Sequence, residues 1–392
     1  MRILHVVPTY LPAVRYGGPI FAVHGLCRAL VSRGHKVEVV TTNINGAKKS
    51  DVPVGVPVGL DGVQVRYFSS DFLRRLSWAP SLAQALRREI DGFDLVHLHS
   101  VFLWPTWAAA RLARKAHVPY LISPRGMLVK ELIEQRSSFA KSAWIKLIEK
   151  SNLERASAIH VTSELEKADL MRFKWRLPQV ATISNGVEEL EIAAEAEPSR
   201  DVKEIASHQP LVLFLGRISW KKGLDRLLNA FALTSLGKLA IVGTDDEGLV
   251  PQMRRLAERL QIGDRVRFLP RPVLGCDKEH LFAAARLFVL ASYSENFGNT
   301  VLEAMQRGVP VVATPEVGAA AIVQKAGGGM VVQGAPEPLG EAINRLINDP
   351  TLAQSLGAAG RHYVREHCAW PRIAAQMEAL YESLAVSRKI RA

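Results

Sequence analysis

Cysteine is scarce, with three in 392 residues (Cys27, Cys276 and Cys368), none near another. That excludes a disulfide framework and a cysteine zinc site, and suits a reducing compartment. Long apolar runs are missing too. The longest uncharged stretch of the first half, Leu95 to Ala110, contains His97, His99, Ser100 and Pro105. It falls short of the ~20 apolar residues of a membrane-spanning helix. No secretory pattern separates Met1 from the strand-like RILHVVPTY, so a cytoplasmic protein is expected. Zinc-finger spacing and an RNP-type aromatic strand are absent, so no nucleic-acid partner is expected. There is no complete GxGxxG or Walker pattern.

What is present is an ordinary globular composition, 48% apolar and 22% charged, long enough for two or three domains. The formal charge is +12, and it is unevenly spread. Residues 1–187 carry 26 Lys+Arg against 14 Asp+Glu, whereas residues 188–392 carry 24 of each. A basic half beside a neutral half predicts two units with different partners. The basic half suits an anionic acceptor or an anionic membrane face. Within it, Phe139, Ala143, Trp144, Leu147 and Ile148 recur at helical spacing with Lys141, Lys146 and Lys150 alongside. That pattern suits either a core-packing helix or one lying on an anionic bilayer.

Short apolar runs alternate with helical periods. Ile3–Pro8, Lys36–Thr41, Asp94–His99, Val118–Ser123 and Ala158–Thr162 read as strands, and Ile20–Arg33 as a helix stopped by Gly34. The pattern restarts after residue 195 with strands at Leu211–Leu215, Lys238–Gly243, Val266–Leu269, Leu287–Leu290 and Val309–Ala313. Glu188–Gln209, rich in Glu, Ala, Ser and Pro, is the boundary candidate. The expected class is α/β, two doubly wound parallel-sheet domains with ligands beyond the carboxyl ends of the strands.

Three segments carry chemistry. After the strand Leu287–Leu290 comes a loop with Glu295 and the turn formers Asn296, Gly298 and Asn299, then a helix from Asn299 or Thr300 with Glu303 in about its first turn. Free amides at that helix start suit a phosphate, and two carboxylates beside it suit sugar hydroxyls at both ends of a nucleotide sugar. In the second segment, Arg217 and Lys222 lie in the loop after Leu211–Leu215, where two cations can neutralise a diphosphate in place of a metal ion. The third, Tyr16-Gly17-Gly18-Pro19, follows the first strand and lets backbone amides approach a ligand. Each has a plainer reading: a helix dipole complemented by Glu, a solvated lysine loop, a flexible turn. Asp245 and Asp246 read as a loop pair and not as metal ligands.

In order along the chain, GGP at 17–19, NGV at 185–187, GRISWKKG at 216–223 and SENFGNTVLEAMQRGVPVVAT at 294–314 resemble glycosyltransferase family 4, of the group 1 type. The likeness covers essentially the whole chain. It implies the GT-B fold, two Rossmann-like doubly wound domains facing across a cleft, and retaining transfer from a nucleotide-sugar donor without metal or cofactor. It implies an acceptor-binding domain over 1–195, a donor-binding domain over 196–371, and a terminal helix from about 372 to 392 crossing back to the first.

Carried over residue by residue, Glu295 faces the reacting sugar and Glu303 holds the ribose. Arg217 and Lys222 bind the diphosphate. Asn296, Phe297, Gly298, Asn299 and Thr300 form the donor-binding turn. Gly17 and Gly18 are the donor-side loop, and the backbone of Arg271 to Val273 holds the base. One departure stands out. Many relatives place a His after the strand Tyr120–Ser123, where this chain has Arg125. Arg125 and His99 are the acceptor-side candidates, Arg125 as a binder of phosphate or developing anion. The expected acceptor is a sugar or lipid-linked species, such as a sugar on a lipid diphosphate, in cell-surface polysaccharide or glycolipid assembly with peripheral membrane contact. Two other readings are a nucleotide-sugar epimerase on the same fold and a non-catalytic donor-binding subunit. Epimerised donor without acceptor would indicate the first, and binding without turnover the second.

Overall fold

The computed structural model describes residues 1–14, 17–130, 133, 144–188 and 197–391. The chain divides into two compact units, Met1–Gly186 with Trp370–Ala392, and Val187–Ala369.

The first unit contains β1 (Arg2–Thr9), β2 (Lys36–Thr42), a small hairpin of β3 (Ile44–Asn45) and β4 (Lys48–Lys49), β5 (Pro57–Leu60), β6 (Val63–Phe68), β7 (Leu95–His99), β8 (Tyr120–Ser123), β9 (Ala158–Val161) and β10 (Val180–Thr182). Its helices are α1 (Gly18–Ser32), α2 (Pro80–Glu89), α3 (Trp104–Lys115), α4 (Lys150–Glu154), α5 (Glu164–Met171) and the terminal helix Trp370–Arg391. The main sheet runs β10-β9-β8-β7-β1-β2-β6-β5. It is parallel but for the edge strand β5, antiparallel to β6. β1 shows why it is buried on both faces. Ile3 and Val7 join a core with α1 and the terminal helix, whereas Leu4 and Val6 join one with Leu82, Leu86 and Ala109 of α2 and α3. Alternate side chains of one strand feed opposite layers.

The second unit contains β11 (Leu211–Leu215), β12 (Lys238–Val242), β13 (Val266–Leu269), β14 (Ala285–Leu290), β15 (Val311–Ala313) and β16 (Gly329–Val331). The order β13-β12-β11-β14-β15-β16 is parallel throughout. Around it lie α6 (Arg200–Ala206), α7 (Leu224–Ala232), α8 (Val250–Arg259), α9 (Gly275–Ala284), α10 (Asn299–Gln306), α11 (Ala320–Ala326), α12 (Pro336–Asn348) and α13 (Pro350–His367). Both units are therefore Rossmann-like doubly wound layers. In each sheet the strand order reverses next to the first strand, between β1 and β7 and between β11 and β14. Loops diverge there and leave a crevice for ligands.

Three details differ from the sequence reading. The chain leaves the first unit at Gly186 and returns at Trp370, ahead of the expected 195/196 and 371/372 limits. The cause is packing: a Cβ on Gly186 would sit 2.4 Å from the Trp370 ring, and Val187 N bonds Cys368 O at 2.9 Å. The strands β3, β4, β5, β6, β10 and β16 were not expected; β3 and β4 are two residues each, and the others lie at or next to a sheet edge. Finally, Ile145–Glu149 winds as a π-helix, which shifts the side-chain register. Ile145 and Glu149 are buried and Leu147 is exposed, so the expected apolar face through Leu147 is not formed there. Phe139, Lys141 and Ala143 of that face lie outside the described residues, as does Tyr16. Among the described residues no helix is long and apolar enough to cross a membrane.

Candidate active site

The second unit brings two of the expected residues together. Gly223 ends the loop after β11 with φ 61°, and a Cβ there would lie 2.0 Å from Ala291 O. Only glycine permits that approach. The β11 loop is thereby pressed onto the β14 loop, and Lys221 O accepts from Tyr293 N at 2.7 Å. The next residue, Lys222, places its ammonium on the Glu295 carboxylate. The Glu295 backbone is pinned on its far side. Its N–H donates to Glu316 O at 3.0 Å, its carbonyl accepts from Gly318 N at 2.9 Å, and Phe297 O accepts from Ala319 N at 2.8 Å. The side chains of Lys222 and Glu295 are 14% and 18% exposed, partly desolvated yet reachable. Burial pushes the Glu295 carboxyl up, but Lys222, then Arg217 and the Phe297 N–H, outweigh it and hold it below the usual carboxylate range.

Gly298, at φ 89°, turns the chain into α10. Glu295, Phe297 and the first amides of α10 thus stand at the carboxyl ends of β11 and β14 with the positive end of a helix dipole. Arg217 is exposed and close enough for its charge to act on Glu295. Asn296, Asn299 and Thr300 are half-buried around the turn, and Phe297 is buried.

Glu303 is the fifth residue of α10, in its second turn, and pairs with Lys278 of α9 at 3.2 Å. Lys278 carried no signal in the sequence. The Arg271 side chain is tied to Asp201 at 2.7 Å, Asp277 at 3.0 Å and Ser199 at 2.7 Å, so it fastens α6 to α9. Its backbone N–H is taken by Leu269 O at 2.9 Å, so its carbonyl, with the backbone of buried Val273, is what it leaves for a ligand. Sequence reasoning also missed Arg226. Its guanidinium lies 3.8 Å over the Tyr293 ring, and the Tyr293 hydroxyl donates to Asp225 at 2.7 Å. This brace supports the Glu295 loop and lies outside the glycine-rich pattern.

In the first unit, Gly17 (φ 68°) and Gly18 begin α1 after β1. At the ends of β7 and β8 lies a buried cluster of four histidines, with half-buried Arg125 against it. Its proton positions follow from groups with one possible role. His160 Nε2 meets Ile183 O at 2.9 Å, so Nε2 donates and Nδ1 accepts from the Ser123 hydroxyl at 2.7 Å. Ser123 Oγ then accepts from His97 Nε2 at 2.8 Å, leaving His97 Nδ1 to accept from the Tyr381 hydroxyl at 2.7 Å. A second chain starts at Arg125, a donor only. Its Nη2 donates to His99 Nδ1 at 3.3 Å, and His99 Nε2 donates to His5 Nδ1 at 2.9 Å. His5 Nε2–H has no partner among the described residues.

All four imidazoles are neutral. Burial, with Arg125, holds His5 and His160 down to about 3. Burial first, then neighbouring rings and Arg125, holds His97 and His99 well below the usual range.

His5, His97 and His99 have nitrogens within 4.8 Å of one another. The donor set does not suit a cation. Both nitrogens of His97 and of His99 are used in hydrogen bonds, and a guanidinium sits on His99. His99 is 1% exposed, so it stands behind Arg125 with no nitrogen left for a ligand.

Residues 17–186 match the family described as Glycosyl transferase 4-like domain, and residues 195–363 match Glycosyl transferases group 1. The chain is 28% identical to an alpha-maltose-1-phosphate synthase of Mycolicibacterium smegmatis, over 98% of this chain and 100% of that protein. Its fold is that of a sucrose-phosphate synthase from Thermosynechococcus elongatus, with TM-score 0.76 and 24% identity over 98% of this chain and 99% of the other. It is also that of HepE from Anabaena, solved with UDP and glucose, with TM-score 0.73 and 21% identity over 98% and 100%. Residues 17–186 thus form a glycosyl transferase 4-like domain, residues 195–363 a glycosyl transferases group 1 domain, and the chain is a glycosyltransferase of the GT-B fold.

Proposed function

We propose that the chain moves a sugar from a nucleotide-diphosphate sugar to an acceptor hydroxyl with retention at the anomeric carbon and without a metal ion. The observation that carries this reading is the Lys222–Glu295 pair, set beside the N-terminal turn of α10. A departing diphosphate draws Lys222 away from Glu295 and meets Arg217 and the α10 amides. Each well-placed donor is worth about 3–4 kcal/mol of transition-state stabilisation. Glu295, released, accepts hydrogen bonds from the transferred sugar. The bond from the anomeric carbon to the β-phosphate oxygen breaks, and its electron pair stays on the diphosphate. The acceptor oxygen bonds to that carbon on the same face, and its proton passes to the β-phosphate oxygen. Glu303 takes the ribose diol, with Lys278 balancing its charge, and the backbone of Arg271 to Val273 takes the base. In the first unit, Gly17 and Gly18 keep the donor-side role that the family likeness gives them, and Arg125 serves the acceptor side.

HepE was solved with UDP, which makes UDP-sugars the first donors to try. The charge excess of residues 1–187 supports an anionic acceptor. A sugar on a lipid diphosphate, met at an anionic membrane face during polysaccharide or glycolipid assembly, fits that charge. The test is transfer in EDTA with product analysis by NMR. Retained anomeric configuration and undiminished rate support the reading. Inversion, or a requirement for magnesium, overturns it.

A further inference from the structure

Among the described residues no carboxylate is hydrogen-bonded or ion-paired to Arg125 at the end of β8. Arg125 has five N–H donors. One goes to Asn185 Oδ1 at 2.9 Å and one to His99 Nδ1 at 3.3 Å, both neutral groups. Nε is buried and has no partner among the described residues. The carboxylate whose field reaches it, Glu166, is used elsewhere. Its Oε1 accepts from Gly126 N at 2.7 Å, and its Oε2 from Thr162 N at 2.8 Å and the Thr162 hydroxyl at 2.9 Å. Burial pulls the guanidinium below its usual range, the sign of a charge short of compensation. The Arg125 backbone is left-handed, φ 56°, a conformation that costs a non-glycine residue and persists where the surroundings enforce it. A partly desolvated cation with no anion among the described residues lowers stability. The place, beyond the carboxyl end of a parallel strand, is where such sheets bind ligands.

We propose that Arg125 is the seat of a phosphate group carried by the acceptor, and that Asn185 and His99 are positioning residues that fix its guanidinium for that group. Among the described residues the two neutral partners take one donor each, and the rest of the guanidinium fork is kept for an anion that presents several oxygens. His99 is held as a neutral acceptor, so it orients Arg125 without neutralising it. That the acceptor bears the phosphate rests on the transfer reading. That Arg125 binds a phosphate does not.

The test is a titration of the full chain with inorganic phosphate, against sodium chloride of equal ionic strength, followed by thermal melting. The protein is first saturated with whichever of UDP, GDP or ADP raises its Tm most, which occupies the Lys222 site. Phosphate is expected to raise the Tm of the wild type, and Arg125→Gln to lose that shift. Arg125→Lys, which keeps the charge without the fork, and Asn185→Ala are each expected to weaken phosphate at least about fivefold. Without ligand, Arg125→Gln is expected to melt at or above the wild-type temperature, which a merely structural arginine would not do. A phosphate shift that is absent in the wild type, or that survives in Arg125→Gln, overturns the proposal. So does loss of the nucleotide shift in Arg125→Gln, which would assign Arg125 to the donor. If no nucleotide stabilises the wild type, the donor reading fails by itself, and phosphate titrated alone still decides Arg125.

Discussion

The Tyr381 hydroxyl donates to His97 Nδ1 at 2.7 Å, joining the last helix of the chain to a central strand of the first sheet. From there a single set of proton positions runs through Ser123 and His160 to the carbonyl of Ile183. Reversing any one link would set two donors or two acceptors against each other in a buried site, so the network admits one arrangement. Its rings pack on His99, with the His97 and His99 centroids 4.0 Å apart, and His99 holds Arg125. The terminal helix therefore braces the wall behind the proposed phosphate seat.

Tyr381→Phe keeps the ring and removes only the hydroxyl. His97 Nδ1 is then buried without its donor, at a cost of about 1–3 kcal/mol. Urea unfolding should show a lower midpoint with an unchanged slope.

The histidines make a distinct pH prediction. Their folded pKa values lie below the unfolded value near 6.5, at about 3 for His5 and His160, with His97 and His99 also lowered. Between these limits the unfolded chain binds protons that the folded chain refuses. Stability is therefore fully present above pH 6.5 and falls as the pH drops toward 3, by up to ~1.4 kcal/mol per pH unit for each ring. The urea midpoint should begin to fall just below pH 6.5, before most carboxylates titrate. His160→Asn or His5→Asn should flatten that slope.

Trp370 fills a slot between two glycines. A Cβ on Gly25 would lie 2.3 Å from its ring, and one on Gly186 2.4 Å. Gly25→Ala or Gly186→Ala should cost about 1–3 kcal/mol through overpacking. Trp370→Phe in the Gly186→Ala background should recover part of the loss, measured by thermal melting.

Lys222→Ala removes the strongest charge holding the Glu295 carboxyl down. Burial then dominates, so the Glu295 pKa rises. The acid limb of the pH–rate profile should move to higher pH, and kcat should fall about 10²–10³-fold. Glu295→Gln should lower transfer while nucleoside diphosphate binding holds or tightens, because Lys222 loses a competitor for the phosphate.

Much of the fold was legible because strand and helix periods alternate cleanly, as in Gly18–Ser32 and Lys36–Thr42. The Lys222 and Glu295 loops were legible because each pairs glycine turns with ionisable residues between a strand and a helix. The histidine network was not. His5, His97, His99 and His160 stand on β1, β7 and β9, far apart in sequence, and apolar alternation reports only that such positions are buried. The same holds for NGV at 185–187. In the structure Asn185 bonds Arg125, Gly186 admits Trp370 and Val187 pairs with Cys368, and all three partners are remote in sequence. The register change at Ile145–Glu149 came from a π-turn, which no 3.6-residue period foretells.

The central claim is that Lys222, Arg217 and the α10 amides grip a diphosphate. Calorimetric titration with UDP, GDP and ADP in EDTA tests it most directly. At least one should bind the wild type, and Lys222→Ala should weaken it about tenfold or more. No binding by any of the three, binding only with magnesium, or equal affinity in Lys222→Ala would contradict the account.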